Sequence, residues 1–157
     1  MGSLRLLRFL AVLLTALAFV PAGAHLFELP NKIGLPRDAY FVAQGLYRGW
    51  ALFGLVWFGA LAANLGLAVA LRRRRARAAR LALAAGLLVV LSLGVFFVWT
   101  YPANLATENW TRAPADWEAL RLQWEYSHAA NAGLTFLALC LVVLSVLDGD
   151  GAGSDRA

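Results

Sequence analysis

The fold of this chain is decided by residues 117–147, which are WEALRLQWEYSHAANAGLTFLALCLVVLSVL. Polar and aromatic side chains recur here at intervals of three and four residues: Trp117, Arg121, Trp124, His128, Asn131 and Thr135. At about 3.6 residues per turn these positions share one face of a helix. The rest of the segment is almost entirely apolar, as in a membrane span. Because histidine and asparagine are costly in lipid, we expect this polar stripe to face the interior of a helix bundle.

Composition extends this expectation to the whole chain. Of its 157 residues, 61% are hydrophobic and 15% are charged, whereas soluble domains carry about 25% charged residues. Four stretches are long and apolar enough to cross a bilayer, at about 4–27, 46–71, 81–101 and 126–147. The sequence therefore predicts an all-α, four-helix transmembrane bundle. One domain is expected over residues 1–147, followed by a disordered, acidic cytoplasmic tail over 148–157.

The distribution of charge predicts the orientation. Residues 72–80 contain six arginines, and Arg5 and Arg8 precede the first span. Because basic loops remain in the cytoplasm, both chain ends are predicted to be cytoplasmic, and the loops at about 28–45 and 102–125 to face outward. We interpret the arginine loop as a topology signal that touches anionic lipid headgroups, not as a nucleic-acid site. The expected partner is the lipid bilayer, in a bacterial-type plasma membrane.

Prolines mark the predicted helix ends in the two outward loops, which we expect to be ordered. Pro36 and Pro114 are predicted to open helices at their first turn, and Pro102 is predicted to end the third span. The segment from Asp38 to Arg48 is expected to feed the second span directly.

The first span has a second interpretation. Arg5 and Arg8, a short apolar run and residues 22–24, AGA, also fit a signal peptide with its cleavage site. Cleavage would leave His25 as the N-terminus and three spans. Apolar character resumes with Leu26, however, and this favours a helix that continues past the site.

The candidate site contains the chain's two histidines. His25 and Glu28 lie three residues apart near the outer end of the first span, and His128 lies near the outer end of the fourth. If these helices are neighbours, the three side chains meet. Two imidazoles and one carboxylate suit either a divalent metal or a general base that acts on an acidic C–H bond. Trp117 and Trp124 would supply apolar walls for a polycyclic substrate.

A purely structural interpretation of the same residues is also open. His128 and Asn131 would then form hydrogen bonds between helices. Their candidate partners are Gln44, Arg48, Asn104 and Glu28. In this interpretation Arg48 forms an ion pair with Glu28 at the outer interface.

Three segments carry a resemblance to a known family. They are AHLFELPNKIGLPRDAYFVAQGLYRGWALFG at 24–54, WTYPANLATENW at 99–110 and DWEALRLQWEYSHAANAGL at 116–134. The matching motifs are a turn with Pro102 and Asn104, the pair Trp117 and Trp124, and His128 one turn later. These segments resemble the anthrone-oxygenase-like family of small four-helix membrane proteins, most of which are described only as a domain of unknown function. That family often has an arginine three residues after the histidine, where this chain has Asn131.

The resemblance implies an oxygenase that acts, without a cofactor, on a lipophilic aromatic molecule in an outward-half pocket. A divalent metal remains possible. The candidate catalytic residues, which are also the candidate metal ligands, are His128, His25 and Glu28. The candidate ligand-binding residues are Trp117, Arg121, Trp124, Asn131, Asn104, Arg48 and Gln44. The alternative is a non-catalytic membrane protein that binds a lipid or a quinone-like ligand, or supports a partner complex. The oligomeric state is left open.

Overall fold

The computed structural model describes residues 2–150, with side chains described through Asp148. Its helices are α1 (Ser3–Lys32), α2 (Arg37–Gln44), α3 (Phe53–Leu71), α4 (Ala76–Val95), α5 (Tyr101–Ala106) and α6 (Trp117–Asp150). Short 3₁₀ turns at Gly45–Tyr47 and Trp50–Leu52 lead into α3, and a π-helical turn at Phe96–Thr100 joins α4 to α5. No strand occurs in the described residues, so the predicted all-α fold is confirmed.

Four helical segments of the described chain are long and apolar enough to cross a membrane. They are Ser3–Lys32, Trp50–Leu71, Ala76–Ala106 and Trp117–Asp148. The predicted four-helix bundle is thus confirmed, and the chain has the architecture of an integral membrane protein. Three segments extend beyond the predicted spans at their outer ends, because the helices continue past the apolar stretch. Of the predicted acidic tail, residues 148–150 continue α6, and residues 151–157 lie outside the described residues.

The four segments form a ring in which each packs against two others. α1 lies against α3 and α6, and α4 also lies against α3 and α6. The buried core at these contacts is rich in small residues, such as Ala11, Ala63, Ala82 and Ala138. Small side chains let helix backbones approach closely, and such packing stabilises helix association in lipid. The first and last spans are therefore direct neighbours, which brings the two histidine-bearing helices together.

The third span does not end where the sequence predicted. In a regular helix a proline lacks one backbone N–H donor, and its ring collides with the carbonyl four residues earlier. Here the π-helical turn at Phe96–Thr100 comes directly before Pro102, which occupies an early position in α5. This wider turn relieves the conflict. The helix continues to Ala106, so the prediction that Pro102 ends the span is wrong.

The first outer loop folds across the outer end of the bundle. α2 begins directly after Pro36, as predicted, and its buried face carries Tyr40 and Gln44. The chain then turns sharply at Gly49, whose φ of +88° is a conformation that glycine adopts without a steric penalty. The segment from Asp38 therefore does not feed the second span directly, contrary to the prediction. It forms a separate short helix that packs its polar face against α6.

Candidate functional site

The polar stripe of α6 faces the other helices, as its spacing predicted. Trp124, Asn131 and Thr135 are buried, and Trp117, Arg121 and His128 are partly buried. Leu137, on another face of the same helix, is 53% exposed. The contrast fits a helix that presents its polar side to the bundle and its apolar side to lipid.

The two histidines meet at the outer end of α1 and α6. Their ring centroids are 4.1 Å apart, with an angle of 43° between the ring planes. His25 is buried, with 4% of its surface exposed, and His128 is partly buried. The prediction that the first and fourth spans bring these imidazoles to the same depth agrees with this geometry.

Aromatic rings surround the histidine pair. The Trp124 ring lies 4.1 Å from the His128 ring and 4.8 Å from the His25 ring, edge to face in both cases. Tyr47 and Trp50, from the turns before α3, lie 4.4 Å and 5.5 Å from the His25 ring. The histidine pair is therefore packed within a cluster of aromatic rings.

A cluster of charged groups lies beside the aromatic walls, and we call Glu28, Lys32, Tyr47 and Glu125 the outer charge cluster. The Lys32 ammonium donates a hydrogen bond to the Tyr47 hydroxyl at 2.7 Å and lies 3.2 Å from Glu125 Oε1 and 3.6 Å from Glu28 Oε2. The Tyr47 hydroxyl in turn donates to Glu28. Lys32 and Glu125 are 4% and 1% exposed. Each buried charge therefore has an opposite charge beside it, which burial requires.

Tyr40 connects α2 to this cluster. Its hydroxyl donates to Glu125 Oε1 at 2.8 Å and accepts from Gln44 Nε2 at 2.6 Å. Burial raises the pKa of Tyr40 well above its ordinary value, and the Glu125 carboxylate raises it further. Burial and the bond to Glu28 raise the pKa of Tyr47 in the same direction. Both hydroxyls therefore stay protonated and serve as hydrogen-bond donors.

Asn104 fixes two tryptophans of the site. Its Oδ1 accepts hydrogen bonds from the indole N–H groups of Trp124, at 2.8 Å, and Trp110, at 3.2 Å. The turn that delivers Trp110 has positive φ at three consecutive residues, with values of 50°, 56° and 63° from Glu108 to Trp110. Residues other than glycine rarely adopt this conformation, and it is strained. The strain is the structural cost of placing the Trp110 indole against Asn104.

Arg121 and Trp117 form a neighbouring layer rather than part of the histidine pair's walls. Arg121 Nη1 donates to the Leu35 carbonyl at 2.7 Å, and its guanidinium stacks on Trp117 at 4.7 Å. Trp117 precedes His128 by eleven residues, about 16 Å along a helix. Trp117 therefore does not lie beside the histidines, contrary to the prediction. These two residues instead tie α6 to the loop after α1.

Arg48 does not take the predicted place. It is exposed, and within residues 2–150 it forms no ion pair with Glu28, whose neighbours are Lys32, Tyr47 and His25. α2 ends at Gln44 and the chain turns at Gly49, so Arg48 lies in the connection to α3 and not on a helix that would aim it at the bundle. Of the predicted partners, Gln44 and Asn104 do enter the site, although they contact Tyr40 and the two tryptophans rather than His128 or Asn131.

Several buried polar atoms of the described chain have no hydrogen bond. They include His25 Nδ1, Gln44 Oε1, Glu125 Oε2 and both side-chain amide atoms of Asn131. Buried polar groups almost always have partners. Similar atoms also occur away from the histidines, at Asn64 Oδ1 and Ser92 Oγ, so they do not by themselves mark a binding site. Asn131 follows His128 by one turn of α6, which places its amide next to the histidine pair along the stripe.

The predicted metal set is not supported by the arrangement. Across residues 2–150, no group of three or more His, Cys, Asp or Glu side chains is placed to hold a metal ion. Glu28 Oε2 lies 4.0 Å from His25 Nδ1, but the same oxygen is bound by Tyr47 and faces the Lys32 ammonium. A second cation there would be repelled by Lys32. The chemistry available to the site is therefore that of imidazoles, an ammonium, carboxylates and phenols.

Sequence reasoning missed Lys32, Glu125, Tyr40, Tyr47 and Trp50. Lys32 lies in the predicted outward loop at about 28–45, although its spacing of four from Glu28 is a usable signal for a shared helix face. Glu125 lies beside Trp124 but off the three–four spacing of the stripe. Comparisons with protein-family models, with curated proteins and with solved structures find no match for this chain.

Proposed function

We propose that the protein is a membrane oxygenase that acts on a lipophilic aromatic molecule with an acidic C–H bond. The observation that carries the proposal is the contact between the His25 and His128 rings, which come from two helices and are walled by Trp124, Tyr47 and Trp50. An imidazole is the side chain best suited to move protons near neutral pH. The resemblance to the anthrone-oxygenase-like family points to the same chemistry.

The proposed reaction starts when an imidazole nitrogen takes a proton from a methylene group that lies between aromatic rings and opposite a ketone. The electron pair left behind is delocalised as an enolate. It reduces O₂, and a C–O bond forms to give a hydroperoxide. Loss of water, with the second methylene hydrogen, leaves a new carbonyl. One methylene and one O₂ thus become one carbonyl and one water, so the protein needs no cofactor.

Lys32 is the group that would stabilise the enolate oxygen. Its ammonium lies 4.8 Å from the centre of the Trp124 ring, which also contacts both histidines. A fixed cation next to developing negative charge lowers the barrier more in a dry site than in water. Lys32 would therefore take the role that an arginine at position 131 would have in the family pattern. We also propose that the enzyme lies in a bacterial-type plasma membrane with its arginine loop in the cytoplasm.

One observation favours a second candidate, a non-catalytic protein that binds a quinone-like ligand or a lipid, or supports a partner complex. The rings around His25 are in direct contact with one another and with the histidine pair, as in a structural core. In that case the outer charge cluster would serve only to hold the helices together.

The test is oxygen uptake by the protein purified in detergent and supplied with anthrone. We expect oxygen consumption to match anthraquinone formation, and His128→Ala and His25→Ala each to lower the rate by about 100-fold or more. The control is Tyr126→Ala, which changes a ring on the same helix that is 59% exposed. Its rate should equal that of the unchanged protein, and circular dichroism should confirm the helix content of every variant.

Absence of uptake above the background of the histidine variants would contradict the oxygenase. If a quinone then quenches the tryptophan fluorescence of the unchanged protein but not that of His128→Ala, the binding function is supported instead. If neither uptake nor quenching occurs, the site is structural.

A further inference from the structure

Two grooves lie at the arginine-rich end of the bundle, opposite the histidine pair. One groove of about 610 Å³ runs between α3 and α4 and is lined by Leu65, Ala68, Val69, Arg72, Ala76, Ala79, Arg80 and Leu83. A second, of about 560 Å³, is lined by Leu4, Arg8 and residues 69–75. Both volumes are within the range of about 300–1,000 Å³ typical of ligand sites. The two grooves meet at Val69 and Arg72, so they form one continuous surface.

The first groove has an apolar floor because its helices carry small residues where they face each other. Ala68, Ala76 and Ala79 leave the space open, while Leu65 and Leu83 line it farther from the arginine loop. Next to it the helices are in close contact, since a Cβ atom on Gly86 would lie 3.0 Å from Leu65 Cδ2. The groove thus has a closed inner wall and opens to the side of the bundle, where lipid surrounds it.

The end of the groove is rich in arginine. Arg72 and Arg80 line the first groove and are exposed, and residues 72–75 line the second. None of the described lining residues is acidic. Arg77, in the same loop, lines neither groove and instead pairs with Asp148 at 3.6 Å. Guanidinium groups bind phosphate oxygens in a two-pronged geometry, so this end of the surface suits a phosphate.

We propose that this surface binds one anionic phospholipid. Its acyl chain occupies the groove between α3 and α4, and its phosphate lies between Arg72 and Arg80. An apolar channel that opens sideways and ends in paired guanidiniums is complementary to a molecule with an apolar tail and an anionic head. Such a site differs from a basic loop in non-specific contact with headgroups, because the lipid has a defined position and a stoichiometry of one per chain.

The test is native mass spectrometry of the full chain in detergent, titrated with phosphatidylglycerol. We expect one lipid to be retained, and the double variant Arg72→Gln/Arg80→Gln to weaken retention by about 30-fold, from about five- to sixfold per guanidinium. Val69→Trp should also weaken it, because this side chain is 58% exposed and lines both grooves. The matched controls are Arg77→Gln, for charge, and Val90→Trp, an exposed position on α4 outside both grooves. Neither control should change retention.

Three outcomes would overturn the proposal. Phosphatidylcholine retained as well as phosphatidylglycerol would remove the role of charge. If inorganic phosphate displaces phosphatidylglycerol as effectively as added lipid does, the site binds phosphate and the acyl chain contributes nothing to binding. Equal loss of retention in Val69→Trp and Val90→Trp, or in Arg72→Gln/Arg80→Gln and Arg77→Gln, would show that the effect does not belong to the groove.

Discussion

Replacing Lys32 by methionine would remove the only cation of the outer charge cluster. The ammonium lies 3.2 Å from Glu125 Oε1, and both side chains are at most 4% exposed. Without it, the Glu125 carboxylate keeps one neutral donor, Tyr40, and no opposite charge. Removing one partner of a buried ion pair lowers the free energy of unfolding by about 3–5 kcal/mol, because the other charge stays unpaired in a medium of low dielectric constant. We therefore expect Lys32→Met to lower the free energy of unfolding by that amount.

Glu125→Gln should cost less, although it breaks the same pair. Glutamine keeps an oxygen that can accept the Tyr40 hydrogen bond, and Lys32 keeps Glu28 at 3.6 Å and the Tyr47 hydroxyl at 2.7 Å. The expected cost is about 1–3 kcal/mol, typical of a weakened buried hydrogen bond. The double variant Lys32→Met/Glu125→Gln should then be more stable than Lys32→Met alone, because no unpaired carboxylate remains at position 125.

The assay is the loss of helical circular dichroism as sodium dodecyl sulfate is added to the protein in mixed micelles. The exposed pair of Arg37 and Asp38, with nitrogen and oxygen 3.0 Å apart, supplies the control. Arg37→Met should change the free energy of unfolding by less than about 1 kcal/mol. If Lys32→Met costs no more than Arg37→Met, or if the two cluster substitutions simply add, the buried ion pair does not hold the outer end together.

Further predictions concern other parts of the outer half. In intact cells, and with the native cysteine replaced, a cysteine at Asn31 should react with an impermeant thiol reagent and one at Arg77 should be protected; the opposite pattern would reverse the orientation. Asn104→Leu leaves two indole N–H groups without their acceptor and should lower stability by about 2–4 kcal/mol, against no measurable change for Asn31→Leu. Glu108→Gly should raise the unfolding midpoint, because glycine adopts the left-handed conformation at this position without the cost of about 1 kcal/mol that another residue has. A lower midpoint would contradict the claim that this turn is strained. The pKa of Tyr40 is raised in the folded protein, so its hydroxyl binds the proton more tightly there than in the unfolded chain. Its contribution to the free energy of unfolding should therefore be complete below about pH 10 and fall above that pH. Tyr40→Phe should reduce this loss of stability at alkaline pH in the same unfolding assay.

The bundle could be predicted from the sequence because membrane length and apolar composition leave few alternatives. The inward face of α6 was also predictable, since a stripe of tryptophan, histidine and asparagine cannot face lipid. The common depth of His25 and His128 was predictable, but that their spans are neighbours is shown only by the structure. These inferences use only local spacing and the cost of polar groups in hydrocarbon, and both are visible in the order of residues.

The outer charge cluster could not be predicted in the same way. Lys32 becomes buried only because α1 continues as a helix past the apolar stretch and α2 folds across its end. Tyr40 reaches Glu125 over a separation of 85 residues, from a short helix that lies apart from the second span. Local spacing carries no information about such a distant contact. The predicted pair of Arg48 and Glu28 is not formed, because α2 ends at Gln44 and Arg48 lies in the turn after it.

The two ends of the bundle have opposite physical character, and this difference has a consequence for how the protein can work. At the outer end, Lys32 is buried beside two carboxylates and the Tyr47 phenol. At the arginine end, Arg72 and Arg80 remain exposed beside an open groove. Enclosed charges have strong effects over short distances, whereas exposed charges are screened by salt and interact weakly. The proposed oxygenase would use the enclosed charges of the outer end. The proposed phospholipid site would instead rely on several exposed guanidiniums that act together with the apolar groove.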